Sequence, residues 1–130
     1  MSTGSTCFDA NILLEIILTR KQEEAARKTL AEAGSDLSIS TLSAHLVIHF
    51  GRERTSLAIL KQFLADYQLL ALEAVDFEWA FNNRRDDDFE DALQLAVAIR
   101  YGCDRFITLD NSLYKTYKDL PTIRVVLASL

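Results

Sequence analysis

The run Asp86-Asp87-Asp88-Phe89-Glu90-Asp91-Ala92-Leu93-Gln94-Leu95-Ala96-Val97-Ala98-Ile99 constrains this chain more than any other stretch. From Ala92 to Ile99 only Gln94 is polar, so a helix here is apolar nearly all round and must be packed on most of its sides. Its amino end carries Asp88, Glu90 and Asp91 behind Asp86 and Asp87, which puts carboxylates where a core element meets the surface. Asp88 and Asp91 share a helix face, and like charges on one face repel unless a cation lies between them. Helix-dipole complementation and an N-cap at Asp88 account for one or two acids. Five acids in six residues leave a surplus, and a metal site built on that surplus needs further acids from elsewhere.

The rest of the chain alternates short apolar runs with helical spacings. Thr6-Cys7-Phe8 reads as a buried strand that stops at Asp9, where the helical run from Asn11 to Leu18 begins. Lys21 to Ala33 is a second helix, largely solvated, with Gly34 as its C-cap. Leu37 to Ser40 is a strand, and Ser40 or Thr41 caps a helix over Leu42 to Phe50 that Gly51 breaks. A helix over Thr55 to Tyr67, a short strand at Leu69 to Leu72 and a helix over Ala74 to Asn83 lead into the acid run. Beyond the central helix, Arg105 to Thr108 is a strand ending near Asp110, Ser112 to Tyr117 is one or two helical turns, and Ile123 to Leu127 closes the chain as a strand. Such alternation predicts an α/β fold, a three-layer α/β/α sandwich with a mostly parallel central sheet.

In an open parallel sheet, ligands bind beyond the carboxyl ends of the strands. Asp9 and Asp110 fall there, and the amino end of the Asp88 to Ile99 helix opens onto the same edge. Carboxylates gathered without a matching lysine or arginine suit a hard divalent cation such as Mg²⁺ or Mn²⁺. The reaction such a site supports is phosphodiester hydrolysis. A net charge of -5 excludes non-specific adhesion to nucleic acid over the whole surface, so RNA contact requires a local basic patch. The 130 residues fit one domain, 1–130. Cys7 and Cys103 read as buried thiols rather than a disulfide framework. Ile12-Leu13-Leu14 is cut by Glu15 and follows no charged n-region, so neither a signal peptide nor a membrane span is predicted and the expected location is cytoplasmic.

Phe8-Asp9-Ala10-Asn11-Ile12-Leu13-Leu14 resembles the first motif of PIN domains, the nucleases of many bacterial toxin-antitoxin pairs. Asp88-Phe89-Glu90-Asp91-Ala92-Leu93-Gln94-Leu95-Ala96 resembles their third motif and Ile107-Thr108-Leu109-Asp110 their fourth. Order and spacing agree over essentially the whole chain. The resemblance, to the VapC-like toxin ribonucleases in particular, implies a Mg²⁺- or Mn²⁺-dependent ribonuclease with Asp9, Asp91 and Asp110 as catalytic and metal-site residues, Asp88 as an additional acid and Thr108 as a supporting hydroxyl. It further implies RNA as substrate, an antitoxin protein as partner and a homodimer. The second motif departs from the family: Ser40-Thr41-Leu42-Ser43-Ala44 is followed by His45 where an inward glutamate is expected. An imidazole there removes a negative charge and favours Mn²⁺ or Zn²⁺ over Mg²⁺.

Plainer readings stand beside these. Asp9 can be an N-cap and Asp110 a turn aspartate; Asp86, Asp87 and Glu90 can be solvated. His45 and His49 are four apart on one helix, a spacing that serves a transition metal or an ordinary packed histidine. Arg84, Arg85 and Lys115, with Arg52, Arg54 and Lys118, are candidates for phosphate contacts around the rim, and Trp79 and Phe81 are core or interface residues. The alternative to a nuclease is a catalytically weakened PIN-like domain that binds RNA or protein, which His45 favours. A receiver-type phosphotransfer domain also gathers aspartates at strand ends, but it needs an acid pair at the first strand and a lysine after the last.

Overall fold

β1 (Thr6–Phe8), β2 (Ser38–Ser40), β3 (Gln68–Leu70), β4 (Arg105–Thr108) and β5 (Arg124–Leu127) form one sheet in the order β3-β2-β1-β4-β5. The structure, a computed structural model, describes residues 5–128. Every pairing in it is parallel, so the sheet expected to be mostly parallel is wholly so among the described residues. Helices α1 (Ala10–Ile17), α2 (Glu23–Ala33), α3 (Thr41–Gly51), α4 (Leu57–Leu64), α5 (Ala74–Asn83), α6 (Phe89–Arg100) and α7 (Asn111–Tyr117) connect the strands.

Strand alternation sorts the core into two layers. Phe8, Ile39 and Ile107 point into one cluster with Ile12, Leu13, Ala26, Val47 and Leu60, which belong to α1–α4. Cys7, Phe106 and Val125 point to the other face, where Leu95, Val97, Leu113 and Tyr117 of α6 and α7 meet them. Register fixes this sorting: Cys7 pairs with Phe106 and Phe8 with Ile107, and a slip of one residue would exchange the two faces. The central helix α6 is buried from Asp91 to Ala98, as an all-round apolar helix must be, with α5 covering Ala92 and Leu93 through Ala80.

The order of the strands positions the site. From β1 the chain steps outward to β2 and β3 through α1–α4, then returns through α5 and α6 to lay β4 on the other side of β1. Connections leave β1 and β4 toward opposite faces, which opens a crevice beyond their carboxyl ends. Asp9 directly follows β1, and Asp110 lies two residues past β4.

Some local expectations shift. Gly51, expected just beyond the end of α3, is its last residue, and a Cβ there would stand 2.8 Å from both Ile17 Cγ2 and Leu60 Cδ2. The helix expected over Thr55 to Tyr67 is confined to Leu57–Leu64, started by Ser56, whose hydroxyl accepts from the Ile59 N–H at 3.2 Å. Its flanks serve instead as turns and as the lead into β3, the latter anchored by the Gln68 N–H donating to the Leu37 carbonyl at 2.8 Å.

Candidate metal centre

Asp9 is held from two sides at the β1–α1 junction. One carboxylate oxygen caps α1, accepting from the Asn11 N–H at 3.3 Å, and the other accepts from the Thr108 hydroxyl at 2.7 Å. The same Thr108 oxygen accepts from the Asp110 N–H at 2.9 Å, so one side chain at the end of β4 laces both strand-end aspartates together. Asp110 caps α7 through the N–H groups of Ser112 and Leu113, at 2.8 and 3.3 Å. Asp88 caps α6 by accepting from the Asp91 N–H at 3.2 Å. Capping and ligation are therefore not rival roles here, because a carboxylate has about four acceptor sites and a cap uses only one or two.

The four acids differ in depth: Asp9 and Asp91 are 1% and 7% exposed, Asp110 is half-buried and Asp88 exposed. None of them takes part in an ion pair among the described residues. Burial and the charges of Asp9, Asp88 and Asp110 push the Asp91 carboxyl up to about 8. Burial also raises Asp9, against the hydrogen bonds from Thr108, Asn11 and Gln94 that favour its charged form, and Asp110 adds to the rise. Glu90 is exposed, as expected, yet it is not indifferent to the rim: burial of its carboxyl and the charges of Asp88 and Asp9 raise it as well.

Gln94, the single polar residue in the apolar stretch of α6, turns out to organise the interior side of this rim. Its Oε1 accepts from the Ala10 N–H and from the Ser43 hydroxyl, both at 3.0 Å, tying α6 to α1 and α3 beside Asp9. Ser43 in turn accepts from the Ser40 hydroxyl at 3.1 Å. The sequence signal was present, since a lone glutamine on a buried helix must find partners, but neither serine betrays its partner. On α3 it is Ser43, Ala44 and Val47 that turn inward, and His45 is exposed with its ring 6.0 Å from that of His49. The expected imidazole in the place of a carboxylate is thus set on the outer side of the helix, about 100° of rotation from its buried neighbour Ala44.

The basic candidates are partly committed elsewhere. Arg85 is bound to Asp119 and to the Thr116 carbonyl, with its guanidinium 5.8 Å from the Tyr117 ring centre. Arg84 donates to the Asp86 carbonyl at 2.9 Å and to Asp87 at 3.3 Å, while Lys115 is exposed. Trp79 is partly buried, whereas Phe81 is 67% exposed and packs against Phe89 with ring centres 4.5 Å apart.

Among the described residues, no three His, Cys, Asp or Glu side chains stand together as a group that could hold a metal ion. The donor set still fits a hard divalent cation, because Mg²⁺ is commonly bound through one or two carboxylates and keeps several waters. A buried carboxyl that holds its proton for want of a counter-charge is a group that such a cation would ionise.

A family model described as the PIN domain matches residues 6–119. No functionally curated protein matches the chain. Among solved structures, a toxin-antitoxin complex from Klebsiella pneumoniae is similar in fold, with a TM-score of 0.76, 21% identity and coverage of 94% of this chain and 96% of that one. A DNA-bound VapBC from Salmonella typhimurium matches with a TM-score of 0.65 and 19% identity, covering 96% and 97%. VapBC2 from Rickettsia felis, bound to a promoter DNA fragment, matches at 0.68 and 13%, covering 95% and 98%.

Proposed function

The chain belongs to the PIN domain family, and on that premise we propose that it is a metal-dependent endoribonuclease acting as the VapC-like toxin of a toxin-antitoxin pair. The observation that carries the reading is the unpaired acid rim, in which Asp91 is pushed up to about 8 by burial and by Asp9, Asp88 and Asp110. Asp9, Asp91 and Asp110 are the residues that would hold Mg²⁺ or Mn²⁺, with Asp88 as a further acid. When bound, the ion supplies charge neutralisation at the phosphate and acidification of a water. Thr108 keeps Asp9 and Asp110 in fixed relation through its one hydroxyl. Gln94 fixes the start of α1 through the Ala10 N–H.

The single domain over 1–130, an antitoxin partner, a homodimer and a cytoplasmic location are parts of this proposal. Full-length similarity to chains from solved toxin-antitoxin complexes supports the antitoxin partner, and no helix among the described residues is long and apolar enough to cross a membrane. A second reading, the PIN-like binding module without turnover, is favoured by one observation: His45, which stands where the family resemblance leads one to expect a carboxylate, is exposed on α3. The deciding experiment is cleavage of single-stranded RNA titrated with Mg²⁺ and Mn²⁺. Cleavage that appears with metal and is lost in Asp9→Asn and Asp110→Asn supports the nuclease. Tight RNA or protein binding without cleavage in either metal supports the binding module.

A further inference from the structure

Beside the acid rim lies a polar cleft of about 360 Å³, walled by Asn11 of α1, by Arg20 and Gln22 in the α1–α2 turn, and by Asp110 and Asn111 at the start of α7. Its size falls in the range of small-ligand sites. The turn that forms its outer wall is firmly built. Glu15, only 8% exposed, accepts from the Gln22 N–H at 2.8 Å and lies 3.7 Å from the Arg20 guanidinium, while the Arg20 N–H donates to the Glu15 carbonyl at 2.8 Å. This clamp accompanies a left-handed Thr19 at φ 51, a conformation that a β-branched residue adopts only when its surroundings enforce it.

The carboxylates on the cleft are committed, Glu15 to the Gln22 N–H and to Arg20, and Asp110 to the start of α7, but the amides are not. No hydrogen bond among the described residues engages the side-chain amides of Asn11, Gln22 or Asn111, so three paired donors and acceptors stand around one opening next to Asp110. An amide of this kind matches the edge of a nucleobase, where a donor and an acceptor lie side by side. Unpaired RNA bases are read in this way by proteins, because splayed-out bases expose those edges. Arg20 adds a cation in a chain of net charge -5; at 3.7 Å from Glu15 and with 44% of its side chain exposed, it keeps N–H donors for a phosphate oxygen.

We propose that this cleft is the subsite for an unpaired RNA base flanking the scissile phosphate, its edge read by Asn11, Gln22 and Asn111 and its own phosphate held by Arg20. The inference rests on the ribonuclease reading and adds where sequence preference resides. Asp110, one of the rim acids, forms part of the cleft wall, so a base in the cleft leaves its neighbouring phosphate over Asp110.

The test is cleavage of a sequence-randomised single-stranded RNA pool in Mn²⁺, with the cut ends sequenced. Wild type is expected to prefer particular bases at one position beside the cut, and Asn111→Ala and Asn11→Ala/Asn111→Ala are expected to flatten that preference. Arg20→Gln should raise KM about tenfold with kcat little changed, the loss of one charge-assisted hydrogen bond, and Arg20→Lys should recover part of it. Thermal melting of each variant identifies any that fail to fold, and the exposed Asn111→Ala serves as the variant least able to disturb the fold. Cleavage without base preference, or a preference unchanged in the folded variants, overturns the subsite and leaves the nuclease standing. If wild type cleaves nothing, titration with the four ribonucleoside monophosphates decides. Amide NMR shifts at residues 20–22 and 111 that vanish in the double variant uphold the subsite while the nuclease reading fails, and their absence overturns both.

Discussion

The two ends of α6 treat a buried carboxylate in opposite ways. At the carboxyl end, Asp76 is 1% exposed, and Arg100 binds it with two N–H groups, at 2.9 and 3.0 Å. Asp76 also accepts from the Glu73 N–H at 2.8 Å, and Arg100 donates to the Ala71 carbonyl and lies over the Tyr101 ring. At the amino end, Asp91 is 7% exposed with three other acids as its electrostatic neighbours and no cation. Depth of burial is therefore a poor guide to function in this molecule. A buried acid with its own counter-charge holds α5 to α6, whereas one without it is poised for a cation from solution.

The largest effect that would test this contrast is at the paired end. Arg100→Met leaves Asp76 buried and uncompensated and should cost about 3 kcal/mol of stability, read by denaturant unfolding; a loss under about 1 kcal/mol would mean that the pair behaves as a surface bridge. At the unpaired end the sign reverses. Asp91→Asn should raise the melting temperature of the metal-free protein by a few degrees, equivalent to about 1 kcal/mol. Mn²⁺ or Mg²⁺ should stabilise wild type, by about 2.7 kcal/mol at a hundredfold excess over Kd, and should not stabilise Asp91→Asn. A metal response that survives in that variant would place the cation elsewhere.

A smaller effect follows from the protonation of Asp91. Its folded carboxyl is pushed up to about 8, whereas the unfolded chain titrates near about 4. Between these values the folded state keeps a proton that the unfolded state has lost, so this group's contribution is full below about pH 4, falls as pH rises, and is gone once pH passes about 8. Metal-free melting temperatures measured from pH 5 to 8 should decline more steeply in wild type than in Asp91→Asn, and saturating Mn²⁺ should flatten the wild-type slope. The smallest effect is expected at His45: because its ring lies outside α3, beside His49, His45→Glu should change Mg²⁺ affinity by less than about 1.4 kcal/mol, or tenfold. A larger gain, measured by isothermal titration, would mean that the new carboxylate reaches the rim.

Much of this arrangement is legible in the chain itself. The limits of β1 and α5 agree with their hydrophobic spacing, and the strand-end aspartates follow from a strand that stops at Asp9 and another that ends just before Asp110. The burial of α6 is dictated by its composition, since a helix without a polar face has no stable place on a surface. What the sequence could not supply is every relation between segments far apart in it. That β4 lies next to β1, that Thr108 donates to Asp9 across 99 positions, and that Gln94 reaches Ser43 across 51 are consequences of sheet order and of side-chain direction. His45 shows the reason most plainly. Its place in the motif suggested an inward ligand, but which side of α3 faces the rim is decided by how Ala44 and Val47 pack into the core with Ile12, Leu13 and Leu60, and that packing leaves the imidazole in water.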